Sequence, residues 1–178
     1  MQLVEQSKLD LHADVNDYLD FELRRTFAQP ITLHHLLTHT AGFEDEAHSL
    51  FVASESELLS LREHLIRYQP ARVYLPGNVM AYSNYGTALA GYIVERVSGQ
   101  SFESYLTDHI LRPLGMAHSF VGNRLPPELA ANISQGYQLL ESPDYIGSPF
   151  PGRLSCLPPC SMPGSVVPGR SAGVSTAP

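Results

Sequence analysis

The sequence predicts a globular, mainly helical domain followed by an irregular tail, and three observations predict it. Apolar residues recur at helical spacing between well-formed start and stop signals. The 178 residues are 43% apolar and 16% charged, as in chains that bury a core rather than stay unfolded. The composition then changes abruptly near Gly147: residues 148–178 hold seven prolines, six serines and four glycines, and no Asp or Glu follows Asp144.

In chain order, residues 1–8 read as the end of an amphipathic helix, with Leu3 and Val4 on one side and Glu5 and Gln6 on the other. Leu9 to Val15 forms a loop with apolar anchors, and 14–19 a turn or short helix. Thr32 is a natural N-cap for a helix whose buried face is Leu33, Leu36 and Leu37, ended by Gly42 in the left-handed conformation. The spacing predicts a helix over 55–67, opened by a Ser54–Glu57 capping box, striped by Leu58, Leu61, Leu65 and Ile66, and stopped by Pro70. The strongest helix covers 85–98: Leu89, Ile93 and Val97 recur every four residues, Ala88 and Tyr92 widen the face, and Gly99 stops it. Another helix runs from Ser101 through Phe102, Tyr105, Leu106 and Ile110 to Pro113. Residues 119–121 are expected to form a short strand, and 128–134 a helical turn before Gly136 and Tyr137. The expected division is a domain over 1–146 and a tail over 147–178 that is mostly irregular or disordered, because so little apolar area cannot offset its ordering entropy. The switch is of the kind a shifted reading frame or a spliced-on end produces.

Charge narrows the function classes. A net charge of −7 argues against nucleic acid or an anionic membrane as partner, since phosphate binding requires clustered Lys and Arg. Lys8 is the only lysine. No apolar run approaches the roughly 20 residues of a membrane span. The first six residues lack the basic start and apolar core of a secretion signal, and the chain is expected to open inside a helix.

The candidate chemistry lies between Pro70 and Gly86, where prolines and a glycine force a loop that ends at a helix start. Ser83 or Asn84 can cap that helix, and Tyr82 projects from its mouth, where partial positive charge favours a phenolate. A plain bracing role for Tyr82 is the alternative. His35 and His39 have the four-residue spacing of paired zinc ligands, but Leu36 stands where a zincin requires Glu, so both read as packing and capping residues. Cys156 and Cys160 are half a zinc site without a second pair. No metal and no cofactor are expected. Glu44, Asp45 and Glu46 read as a solvated loop.

These residues resemble a known family. Ile31 to Phe43 (ITLHHLLTHTAGF) is similar to the ITxxHLLTHTSG block of the serine β-lactamase-like hydrolases, which include class C β-lactamases, DD-peptidases and related esterases. Pro76-Gly77 followed by Tyr82-Ser83-Asn84-Tyr85-Gly86 resembles their P-G…Y-S-N-x-G segment. Ile93 to Gly99 and Ile110 to Met116 match further blocks in the same order. The resemblance implies the α/β β-lactamase/transpeptidase-like fold, here mainly its helical subdomain with most of the antiparallel sheet missing. It implies acyl transfer through a serine on β-lactam, ester or D-alanyl peptide substrates. Of the family's three signatures it assigns the second, Y-x-N, to Tyr82 as general base or proton shuttle and Asn84 as the amide that orients substrate or lysine. The serine of S-x-x-K needs such a base to become a nucleophile, and a tyrosine serves only where cations and dipoles lower its pKa.

The sequence departs from the pattern at the other two signatures. Lys8 has Glu5 three residues before it, so no S-x-x-K is present. K-T-G is absent, and none of the eight histidines has a glycine two residues later. The expectation is a fragment that begins just after its nucleophile, inactive as it stands. The alternative is a non-catalytic binding module or pseudoenzyme of the same fold. In either case apolar surface left by the absent sheet favours self-association.

Overall fold

The computed structural model describes residues 1–45, 57–122, 126–130, 136–138 and 155–157. The order is α1 (Gln2–Glu5), a 3-10 turn (Val15–Asp17), α2 (Leu33–Leu37), α3 (Leu61–Arg67), α4 (Asn84–Ser98), α5 (Phe102–Leu106) running into a π-helical turn (Thr107–Leu111), α6 (Pro127–Ala130), β1 (Gly136–Gln138) and β2 (Ser155–Leu157). β1 and β2 pair antiparallel with Tyr137 opposite Cys156. Among the described residues these are the only strands, and isolated bridges join Asp14 to Thr32 and Phe43 to Arg72. Apart from β2, the tail over 147–178 lies outside the described residues. No helix among the described residues is long and apolar enough to cross a membrane.

The chain is organised around α4, which packs against α1, α2, α3 and α5. The stripe expected there is the core: Leu89 and Ile93 have no exposed surface and Tyr92 is buried. Leu36 from α2, Leu65 from α3 and Val15 from the 3-10 turn close over them. Each such aliphatic side chain contributes about 1.5–3 kcal/mol of transfer free energy. The Phe102 ring of α5 packs over Gly91, its nearest carbons 3.6 Å from where a Cβ would stand, an ordinary van der Waals distance. Gly99, left-handed at φ 73°, ends α4 as expected.

Four local expectations are corrected. Helix α3 starts at Leu61, not 55, and its capping box is Ser60 with Glu63: the Glu63 N–H donates to Ser60 Oγ at 3.2 Å and the Ser60 N–H to Glu63 Oε2 at 3.0 Å. Ser54 lies outside the described residues, and Ile66 of the expected stripe is exposed. Helix α2 ends at Leu37, so Leu37 turns outward at 57% exposure instead of joining Leu33 and Leu36. The left-handed residue beyond that helix is His39 (φ 55°). Gly42 (φ 81°) serves a different purpose, because a Cβ there would stand 2.0 Å from the Tyr74 carbonyl oxygen. Residues 119–121 form no strand. The expected turn at 128–134 is described only as α6, with 131–135 outside the described residues.

Candidate active site

Two stretches far apart in sequence are zipped together beside the N-terminus of α4. The N–H of Glu44 donates to the Ala71 carbonyl at 2.8 Å, that of Val73 to Gly42 at 2.8 Å, that of Gly77 to Thr40 at 2.8 Å and that of Ala81 to His39 at 2.8 Å. The segment after α2 thus forms the floor on which the Pro-Gly loop lies. Thr32 caps α2 as expected, accepting from the His35 N–H, while His35 Nδ1 accepts from the Thr32 N–H at 3.2 Å. His35 Nε2 lies 3.5 Å from where a Gly77 Cβ would stand. Burial, with His34, His12 and Arg72 nearby, pushes the His35 pKa below its ordinary value, which keeps Nδ1 free to accept.

Ser83 is the N-cap of α4: its backbone is extended (φ −142°) and its Oγ accepts from the Gly86 N–H at 3.1 Å. Asn84 is therefore the first helical residue and not a cap. Its side chain is left for other work, and Oδ1 accepts from the Tyr82 hydroxyl at 3.1 Å. Tyr82 stands 60% exposed at the helix mouth. Its ring packs on the His39 imidazole, centroids 4.6 Å apart and tilted by 38°. His39 Nδ1 accepts from the Ser83 N–H at 3.3 Å, so the neutral ring carries its hydrogen on Nε2.

The structure thus brings Tyr82 and Asn84 together at hydrogen-bonding distance with a phenol open to solvent. It also reveals that His39, read from sequence only as a packing or capping residue, lies directly under Tyr82. The available signal was its place two residues beyond the end of α2 in His39-Thr40-Ala41-Gly42. Glu44 and Asp45 are exposed, and Glu46 lies outside the described residues. A cavity of about 1170 Å³ between α5 and α6, lined by Glu103, Asp108, Phe120 and Leu129, includes neither Tyr82 nor Asn84.

The fold places the chain in a class of penicillin-binding-protein-like structures. It superimposes on the octameric penicillin-binding protein homologue of Pyrococcus abyssi with a TM-score of 0.68 at 28% identity, over 94% of this chain and 36% of that one. It matches the D-amino acid amidase of Ochrobactrum anthropi, solved with D-phenylalanine, with a TM-score of 0.65 at 26% identity, over 85% and 43% of the two chains. Among curated sequences, a penicillin-binding protein of Bacillus subtilis (strain 168) is 31% identical over 119 residues, 61% of this chain and 25% of that protein. The Beta-lactamase family model matches residues 1–147, and the chain belongs to that family. It spans between 24% and 31% of the length of such curated relatives.

Proposed function

We propose that this chain carries the proton-handling part of a serine acyl-transfer site, with Tyr82 as general base or proton shuttle and Asn84 as the amide that orients it and the substrate. The observation that carries this reading is the Tyr82 Oη–Asn84 Oδ1 hydrogen bond of 3.1 Å at the solvent-facing mouth of α4. Asn84, freed from capping by Ser83, holds the phenol while leaving it accessible to a reacting hydroxyl. Substrates of the complete site would be β-lactams, esters or D-alanyl peptides. Relatives named as penicillin-binding protein and D-amino acid amidase support that range.

The 178 residues by themselves are proposed to be inactive, because without the serine of S-x-x-K no acyl-enzyme forms and only a small residual rate is left. The test is turnover of nitrocefin and p-nitrophenyl esters by the pure chain. No turnover above buffer is expected; turnover that disappears in Tyr82→Phe would overturn the proposed inactivity.

The exposed apolar side chains of Val73, Tyr74 and Met80 (77% exposed) favour a second reading, in which the same loop is a non-catalytic binding surface that also drives self-association. In-frame codons for S-x-x-K ahead of Met1 would favour the hydrolase; their absence would favour the binding module.

A further inference from the structure

We infer that His39 is the positioning residue for Tyr82, and that its imidazole, not the burial of Tyr82, aims the phenol at Asn84. The catalytic meaning of this inference rests on the reading of Tyr82 as a proton shuttle; its geometric content does not. Tyr82 is 60% exposed, so little core packing fixes its two side-chain torsions. A proton shuttle nonetheless requires placement to within a fraction of an ångström.

One residue supplies that placement three times over. The His39 carbonyl accepts from the Ala81 N–H at 2.8 Å, immediately before Tyr82. Its Nδ1 accepts from the Ser83 N–H at 3.3 Å, immediately after. Its ring face meets the Tyr82 ring between them. The backbone on both sides of the tyrosine and the tyrosine itself are thus referenced to a single residue, through its carbonyl, its Nδ1 and its ring face.

The conformation of His39 supports the same conclusion. At φ 55° it occupies the left-handed region, which is strained for a residue with a Cβ and is most easily adopted by Gly, with Asn, Asp and His the next most tolerant. Glycine would end α2 more cheaply but offers no acceptor and no ring. Asparagine tolerates this backbone and places Oδ1 close to where Nδ1 lies, but it lacks the ring. Only histidine combines a ring face for Tyr82 with an acceptor for Ser83 at this reach. Thr38 and Thr40 steady the turn: the Thr40 N–H donates to the His35 carbonyl at 2.8 Å, and the two hydroxyls lie 2.9 Å apart.

The test reads geometry rather than turnover, so its outcome is independent of whether the chain is an enzyme. The chain is labelled with 3-fluorotyrosine and 15N, and the Tyr82 fluorine signal is assigned by its loss in Tyr82→Phe. In His39→Ala the Tyr82 fluorine and the Ser83 amide are both expected to shift to the positions of an unstructured peptide, while the signals of Tyr85, Tyr92 and Tyr105 stay in place. In His39→Asn the Ser83 amide is expected to recover while the Tyr82 fluorine remains displaced. This separates the acceptor from the ring and guards against an alanine variant that does not fold. A Tyr82 signal unmoved in both variants, or a Ser83 amide unmoved in His39→Ala, would overturn the inference.

Discussion

Arg72 is buried, with 8% of its surface exposed, and its Nε and Nη2 have no hydrogen-bond partner among the described residues. Its guanidinium lies over the Phe27 ring, 5.3 Å from the centroid. Burial pushes its pKa down and the charge of Asp14 pulls it back up, yet a guanidinium stays protonated in a protein. Asp14 Oδ1 is already committed to the backbone and side chain of Asn16. A buried cation without a fitted partner costs more in desolvation than its distant attractions return, and apolar replacements of such groups are often neutral or stabilising. Arg72→Leu is therefore expected to raise unfolding free energy by about 1–4 kcal/mol, read as a higher urea midpoint at unchanged slope. A lower midpoint would show that the contacts with Phe27 and Asp14 outweigh desolvation.

At the scale of elements, α4 both anchors the core and presents the site. Ser83 ends the loop and starts the helix, Tyr82 and Asn84 flank it, and two turns later Leu89 is fully buried. Truncating that anchor leaves a cavity between α4 and its neighbours. Leu89→Ala is expected to cost about 2–5 kcal/mol in a denaturant titration. A loss under 1 kcal/mol would mean the packing around α4 collapses to fill the space. The stripe Leu89, Ile93 and Val97 was legible because a long helix repeats its signal over several turns. The shorter helix α3 was not placed correctly, for a physical reason: Ser54–Glu57 and Ser60–Glu63 both satisfy the capping-box pattern, and the local rule cannot choose between them. Likewise Leu37 matches the face of Leu33 and Leu36 by spacing, yet α2 stops at Leu37 and leaves it exposed.

Across the whole molecule, Asp20 ties the N-terminal loop to two helices. Its Oδ1 accepts from the Tyr92 hydroxyl at 2.8 Å, and its Oδ2 accepts from Arg62 Nε at 3.0 Å and lies 4.0 Å from Arg96 Nη1. The Tyr92 hydrogen bond first, then Arg62 and Arg96, hold its pKa below the ordinary 3.8, against partial desolvation. A carboxyl depressed in the folded state contributes stability above its unfolded value and loses it as pH falls through the folded one. Stability is thus expected to fall below about pH 4, and Asp20→Asn to flatten that acid limb in thermal melts followed across pH. An acid limb as steep in the variant as in the unsubstituted chain would assign the loss to other carboxyls.

The sequence by itself determined the family, through its ordered blocks, the cap of α2 at Thr32, and the long helix with its stop at Gly99. It also singled out Tyr82 and Asn84, because each of these signals is carried by neighbours in the chain. Only the tertiary structure decided that Ser83 and not Asn84 caps α4, that Gly42 is small because the Tyr74 carbonyl passes over it, and that His39 lies beneath Tyr82. Each of these depends on backbone groups that are distant in sequence and close in space, or on a backbone angle that two adjacent candidates could equally have supplied. Local periodicity and capping rules carry no information about which loop will be laid across which turn; hydrogen bonds between residues 39–44 and 71–83 supply it.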